Sequence, residues 1–382
     1  MTVSVWQQQA VTEVACDVCV LGAGITGASV ARWLRREGPK LKIVLAEKHV
    51  VAAGASGRNA GMVLAGLADH YDQMIAVFGR SVAQEAWAAT LEHQRLLNDF
   101  LSETKVNSHV ERCGSWRAGF SEDECEHLAR SAQLLREDQF DVEFIEHDPL
   151  NRGFYGALNI KDDYGVDPVR LVRSLIESAA VDVLEDCEAY ALESERQAII
   201  VHTKRARIRA AHVIVALNAY APLFDKAFNS LVTPQRGQIL VTAPLNARVL
   251  DRLVYTQHGY IYFRQLHDKR LLLGGWRHEY ANAEAGYDDS TTPDVQNALE
   301  NFMRERFPEA TSVPVEARWS GTMGFSPDGL PVVGALPDDE RVVYAVGFTG
   351  HGFGLALEVA RRVARFALEG EHPGIFSVDR LK

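Results

Sequence analysis

Positive charge is the first shortage in this 382-residue chain: 40 Lys and Arg stand against 51 Asp and Glu, a formal net charge of −11. That balance argues against nucleic acid or an anionic membrane surface as a partner. Long apolar runs are missing too. No stretch approaches the roughly eighteen uninterrupted apolar residues that a membrane span requires. Residues 1–9, Met-Thr-Val-Ser-Val-Trp-Gln-Gln-Gln, have neither the basic start nor the apolar centre of a signal peptide. A cytoplasmic protein is expected. Cysteine is scarce, with five residues scattered at 16, 19, 113, 125 and 187. Cys16 and Cys19 form a C-x-x-C, but both fall in the first predicted strand, where residues three apart point to opposite faces. No second pair or nearby histidine cluster completes a metal site, so no metal is expected and the cysteines read as small buried hydrophobes.

With 47 % hydrophobic residues the chain is able to bury a large core, as two domains. Its most informative segment lies near the start. Residues 14–21 read as a buried strand, followed by Gly22-Ala23-Gly24-Ile25-Thr26-Gly27 in the spacing G-x-G-x-x-G. A helix begins with Ala28, Val30, Ala31, Trp33 and Leu34, and a second apolar strand over 42–46 ends at Glu47, 23 positions after Gly24. The first glycine allows a tight turn, the second lets backbone approach a pyrophosphate, and the third lets helix pack close to strand. The helix directs its positive end at the phosphates, and a carboxylate at Glu47 takes ribose hydroxyls. Strand, helix, second strand and acid together predict dinucleotide binding.

Further along, residues 51–62 are rich in Gly and Ala, as suits backbone lying against a ligand; a flexible loop is the alternative, against which Ser56, Arg58 and Asn59 weigh. Helices are expected over 81–102 and 122–139, and another opens with Asp167 as N-cap and Pro168 as first helical residue. Short alternating segments at 187–193, 198–203 and 205–209 feed a strand at 212–216, which runs into Leu217 and Asn218. From Thr233 the pattern turns β-rich, with strands at 237–242, 260–264, 270–274 and 313–319 and a helix at 292–307. The chain closes on a strand at 341–347, a Gly-rich turn through His351, and a helix whose Leu355, Val359, Val363 and Phe366 form one stripe. The expected fold is α/β, α+β overall: a Rossmann-like nucleotide domain built from 1–75, 150–225 and 320–382, interleaved with a β-sheet-rich substrate domain from 76–149 and 226–319. Tyr260, Tyr262 and Arg264 share one strand face, with Ile261 and Phe263 on the other. That polar face either covers a cavity or meets water.

These pieces together resemble the D-amino-acid-oxidase-like flavoproteins, the group of glycine oxidase, monomeric sarcosine oxidase and γ-glutamylputrescine oxidase. The resemblance spans nearly the whole chain. It rests on the 22–27 fingerprint with Glu47, on Gly54-Ala-Ser-Gly-Arg-Asn-Ala-Gly61, on Pro234-Gln-Arg-Gly-Gln238, on Asp328-Gly-Leu-Pro-Val-Val-Gly334, and on Gly347-Phe-Thr-Gly-His-Gly-Phe353 and Ile375-Phe-Ser-Val-Asp-Arg380. It implies an FAD-dependent oxidoreductase, oxidising the C–N bond of a small amine or amino acid by hydride transfer to the flavin. The imine product hydrolyses in water, and electrons pass to O2, giving H2O2. A dehydrogenase of the same fold using a quinone or protein acceptor is the alternative, and a non-catalytic flavin-binding or electron-transfer subunit is the alternative from another class.

The resemblance places FAD against Gly22, Ala23, Gly24, Ile25, Thr26, Gly27, Glu47 and Lys48, then Ala55, Ser56, Arg58, Asn59, Ala60, Gly61 and Met62. It adds Ala189, Ala216, Asn218 and Gly321, and finally Gly347, Thr349, Gly350, His351 and Gly352. The N–H groups of 350–352 and the helix behind them meet the flavin pyrimidine, where negative charge grows on reduction. Tyr260, Tyr262, Arg264 and His351 are the substrate-side candidates, His351 being otherwise a helix-start packing residue. Three departures matter. Trp319 follows Arg318 where some relatives attach flavin through cysteine, which implies non-covalent FAD. Leu272 stands near the position of the sarcosine oxidase lysine that helps oxygen react. Met323 stands where glycine and D-amino-acid oxidases carry the arginine that clamps the substrate carboxylate, a task that needs a guanidinium.

Overall fold

The structure is a computed structural model describing residues 12–106 and 108–382; the stretch 1–9 weighed above as a signal peptide lies outside the described residues. Strand Thr12–Leu21 runs through the middle of an eight-stranded sheet. It pairs in parallel with Ile43–Ala46 on one side and Ala206–Val215 on the other. Asp182–Leu184 extends one edge in parallel, and Asp339–Val346 with Val332–Leu336 the other. The hairpin Ala189–Ser194 and Ile199–Thr203 lies antiparallel on the first half of Ala206–Val215. Val18, Val20, Leu21, Ile43 and Leu45 are buried on both faces, as a central parallel sheet demands. Each such side chain contributes about 1.5–3 kcal/mol relative to exposure.

Seven helices of eight residues or more are found among the described residues: α1 (Ile25–Glu37), α2 (Tyr71–Phe78), α3 (Arg80–Thr104), α4 (Glu122–Glu137), α5 (Pro168–Ala179), α6 (Pro293–Arg306) and α7 (Gly352–Glu369). None is long and apolar enough to cross a membrane. The main core packs α1, α3, α5 and α7 together on one face of the first sheet, with Leu355, Val359 and Val363 of the predicted stripe fully buried. Asp167 caps α5 by accepting the Arg170 N–H at 3.0 Å. Helix α3 thus belongs to the nucleotide layer, whereas the sequence boundaries assigned it to the other domain.

The second eight-stranded sheet runs in the order Val315–Phe325, Thr233–Pro244, Arg270–Gly275, Ile261–Gln265, Leu253–Thr256, Ser115–Ala118, Ala157–Ile160, Glu143–Ile145. All neighbours are antiparallel except Leu253–Thr256 with Ser115–Ala118. Strand Ala157–Ile160 therefore departs from the expected 150–225 nucleotide segment. Helix α6 packs on one face over Phe263 and Ile261. On the other face Ile239, Val241, Tyr255 and Leu272 meet Ala60, Met62 and Leu64 of the segment around the short strand Met62–Val63.

The first strand corrects one reading. The N–H groups of Asp17 and Val18 both donate to the Lys42 carbonyl, at 2.9 and 3.2 Å, so the strand bulges there. Cys19 is buried in one apolar cluster and Cys16 packs against that same cluster, so the two do not point to opposite faces.

Arg236 and Gln238, from the Pro234–Gln238 motif, are buried and structural. Arg236 grips Glu284 with two hydrogen bonds (2.7 and 2.9 Å), and Gln238 and Thr292 donate to the same carboxylate at 2.9 and 3.0 Å. Burial alone would raise the Glu284 pKa, but these donors outweigh it and hold the carboxyl below its ordinary value. Arg236→Met leaves that carboxylate buried and unpaired, and is expected to destabilise the fold by about 3–5 kcal/mol. A lowered carboxyl pKa stabilises in full above the ordinary carboxyl range, and the contribution fades as pH falls through the folded value. Melting temperatures of the wild type and Arg236→Met are therefore expected to differ widely at neutral pH and to converge in acid.

Candidate active site

A cavity of about 350 Å³ opens at the C-terminal ends of the central parallel strands and runs beneath the second sheet. One end is the glycine turn. Gly22 has φ +101°, and a Cβ on Gly27 would lie 1.9 Å from the Gly22 carbonyl oxygen, so the turn and α1 are in direct backbone contact. Gly24 is the N-cap of α1 and has no side chain of its own to cap it. Glu47 accepts the Ala23 N–H at 2.8 Å through one oxygen and the His49 N–H at 3.0 Å through the other, which fixes its carboxylate at the cavity rim. Ser56 Oγ accepts the Ile25 N–H at 2.8 Å, pinning the 51–62 segment to the helix start.

The other end is the approach to α7. Asn218, itself at φ +44°, accepts the N–H groups of Gly347 (2.9 Å) and Phe348 (3.3 Å). Thr349 at φ +47° and Gly350 at φ +79° then turn the chain so that α7 starts at the cavity wall, again without a side-chain cap. His351 Nδ1 lies 3.1 Å from the Thr349 carbonyl, an acceptor only, so Nδ1 carries the proton. Its Nε2 then accepts from the Tyr255 hydroxyl at 2.8 Å. Burial, with Arg117 and Arg277 nearby, pushes the His351 pKa down to about 4, against a smaller opposing pull from the Thr349 carbonyl. The imidazole is neutral at physiological pH.

The second sheet supplies the remaining wall: Tyr255, Tyr260, Tyr262, Ile239, Met323 and Arg277. Burial pushes the Tyr262 pKa up to about 12, so it stays a neutral hydroxyl. Arg277 follows the strand Arg270–Gly275 through a turn with Trp276 at φ +65°. Its guanidinium lies 4.5 Å from the Tyr260 ring centre and 4.8 Å from that of Phe325. Its Nε is buried without a hydrogen-bond partner, and among the described residues no carboxylate pairs with it. The other arginine at the cavity, Arg58, is paired with Asp289.

Of the sequence candidates, Gly22, Gly24, Ile25, Thr26, Glu47, Lys48, Ala55, Ser56, Arg58, Asn59, Ala60 and Met62 line this one cavity. So do Ala216, Asn218, Gly321, Thr349, Gly350, His351, Gly352, Tyr260 and Tyr262. Lys48 spends its ammonium on Glu188 at 2.9 Å. Ala23, Gly27, Gly61 and Gly347 stand behind the wall and shape it. Two candidates are misplaced. Ala189 sits in the outer hairpin opposite Thr203. Arg264 is buried away from the cavity, paired with Glu111 at 2.5 Å and donating to the Gly61 carbonyl at 2.7 Å, because the strand has passed beyond the cavity at that position. Arg277 and Tyr255 were not picked out from sequence; the only signal for Arg277 is a cation beside a Gly-Gly-Trp turn.

A parallel sheet with a helix start behind a glycine turn, roofed by a mostly antiparallel sheet over a shared cavity, is the geometry of a dinucleotide site. Comparison with known proteins makes the class specific. Residues 17–366 match the family model for FAD dependent oxidoreductase, DAO, and the chain belongs to that family. It is 26 % identical to the glycine oxidase of Bacillus licheniformis over 92 % of this chain and 93 % of that one. It is 25 % identical to the γ-glutamylputrescine oxidoreductase of Escherichia coli (strain K12), over 89 % and 80 %. The crystal structure of glycine oxidase from Geobacillus kaustophilus shares the fold with a TM-score of 0.80 at 20 % identity, covering 97 % of this chain and 98 % of that one. The protein is an FAD-dependent oxidoreductase.

Proposed function

We propose that this enzyme oxidises the C–N bond of a small amino acid, whose carboxylate is held by Arg277. The observation that carries the reading is the unpaired guanidinium on a wall otherwise made of tyrosines and apolar groups. A half-buried cation without a counter-ion is left to be paired, and a substrate carboxylate does so with charge-assisted hydrogen bonds. The relatives named glycine oxidase and γ-glutamylputrescine oxidoreductase are named for amino-acid and amine substrates, which agrees with this chemistry.

The cavity fits FAD at both ends. Gly22 and Gly24, with the start of α1, present backbone N–H groups and a helix dipole to a pyrophosphate, and Glu47 is fixed to take ribose hydroxyls. The start of α7 and the Thr349–Gly352 backbone face the ring system. Among the described residues no cysteine lines the cavity, and Trp319 donates its indole N–H to the Arg58 carbonyl at 2.8 Å, which leaves no cysteine to attach the cofactor there. When bound, FAD supplies a two-electron, hydride-accepting centre.

The protein's own residues do the rest. Arg277 orients the acid, and Tyr260 stacks on that guanidinium and fixes its plane. Tyr262 and the Tyr255–His351 pair add polar groups that carry no charge, so the site leaves the substrate amine neutral, the form from which hydride departs. Met323 and Ile239 exclude water from the reacting carbon. The imine product hydrolyses, and electrons pass to dioxygen, giving hydrogen peroxide. Anaerobic addition of amino acids, N-methyl amino acids and simple amines to the yellow protein tests this. Bleaching by the carboxylate-bearing compounds, followed by recovery and peroxide in air, is the expected result. Bleaching only by amines lacking a carboxylate overturns the role of Arg277, and bleaching without recovery in air assigns another electron acceptor.

A further inference from the structure

Outside the cavity, three segments far apart in sequence converge on a group of buried ligating atoms. His70 precedes α2, Glu124 lies in the first turn of α4, and His258 forms the tip of the turn between strands Leu253–Thr256 and Ile261–Gln265. Glu124 is held rigidly: one carboxylate oxygen accepts the His258 N–H at 2.7 Å, and the other accepts those of Phe120 (2.7 Å) and Gln257 (3.2 Å). His70 is 4 % exposed, and neither of its ring nitrogens has a hydrogen-bond partner. Its Nε2 sits 3.4 Å from Glu124 Oε1, and its ring centre is 4.5 Å from that of His258. At that distance the buried imidazole has only a long contact with the carboxylate, and a closer partner would satisfy it better.

We propose that His70, Glu124 and His258 bind a divalent transition-metal ion of the zinc class. One donor atom from each residue falls within 4.8 Å of the others. A tetrahedral ion with bonds of about 2.0–2.1 Å places its ligands about 3.4 Å apart, which the His70–Glu124 pair already meets. Two imidazoles and one carboxylate select zinc-like ions over calcium or magnesium, which take oxygen ligands. Beside the cluster, Asp72 accepts from Ser131 at 2.9 Å and lies 2.6 Å from His127 Nδ1, holding the His127 ring stacked on His70 with ring centres 6.2 Å apart.

The ion would lock the 257–259 turn, whose three residues all have positive φ (51°, 51° and 74°). The Tyr255 ring lies directly over Gly259, and Gly259 and Tyr260 are cavity wall. The ion therefore braces the Tyr255–His351 pair from behind without touching substrate.

Calorimetric titration of chelator-treated, flavin-loaded protein with Zn²⁺, and with Co²⁺ followed by its visible absorption beyond the flavin bands, tests the site. One ion per chain, imidazole-type Co²⁺ bands and a higher melting temperature with Zn²⁺ are expected. His258→Gln, on a half-exposed turn, is expected to keep its flavin and to bind Zn²⁺ at least about tenfold more weakly. His70→Gln gives the same loss, and His258→Gln alone decides if that buried variant does not fold. No binding by the wild type, or binding unchanged in His258→Gln, overturns the proposal.

Discussion

Arg277→Met is expected to lower kcat/KM toward amino-acid substrates by about 100- to 1000-fold, the range found when one partner of a desolvated charge pair is removed. Most of the loss falls on KM, because the carboxylate is bound alike in the ground and transition states. Arg277→Lys restores the charge but not the planar fork, nor the stacking on Tyr260 and Phe325, and recovers only part of the activity. Flavin content is unchanged in both variants, since Arg277 lies in the turn after the roof strand Arg270–Gly275 and not at the glycine turn. Steady-state kinetics together with flavin spectral titration by a carboxylate inhibitor measure both effects. Unchanged inhibitor affinity in Arg277→Met would remove the carboxylate from this position.

Gly27→Ala is expected to yield protein with less than about a tenth of the wild-type flavin, a loss worth more than about 1.4 kcal/mol of cofactor affinity. The added methyl meets the Gly22 carbonyl oxygen at 1.9 Å, a backbone atom unable to move without shifting the whole turn. Gly24→Ala is the informative contrast: its methyl meets only the Ser56 hydroxyl at 2.8 Å, so the scaffold survives and any flavin loss arises at the cavity surface itself. The ratio of flavin to protein absorbance, with melting temperature as a check on folding, separates the two. Full flavin in Gly27→Ala would mean that the turn does not carry the cofactor.

The nucleotide half was legible because its chemistry is local. The turn at 22–27, the strand after it and Glu47 lie within one βαβ unit, and strand and helix periodicity fix how they meet. The roof was legible only in part. Alternation told correctly that Tyr262 and Arg264 share a face opposite Phe263, but not how far along the strand the cavity extends. Two residues beyond Tyr262 the space is filled by Glu111 and the Gly61 carbonyl, and Arg264 is consumed there. Arg277 escaped because a turn with positive φ, invisible to periodicity, swings it into the cavity. Cys16 and Cys19 were sent to opposite faces because a bulge leaves no mark in spacing. The same holds for His70, Glu124 and His258. Metal-ligand spacing is readable when one turn or helix holds the ligands, not when three separate segments do, which is why no metal was expected from sequence.

The order of strands in the first sheet bears on how the molecule comes into being. Its central strand, Thr12–Leu21, leaves the ribosome well before one neighbour, Ala206–Val215, and the next strand beyond, Asp339–Val346. The helix that faces the other end of the cavity, α7, comes later still. A growing chain therefore holds the strand paired on one side only, by Ile43–Ala46, until Ala206–Val215 is made, and the cofactor has no complete seat until α7 docks. Folding of this kind is slow and exposed to aggregation. Flavin supply during expression is accordingly expected to govern soluble yield more than the intrinsic stability of either sheet.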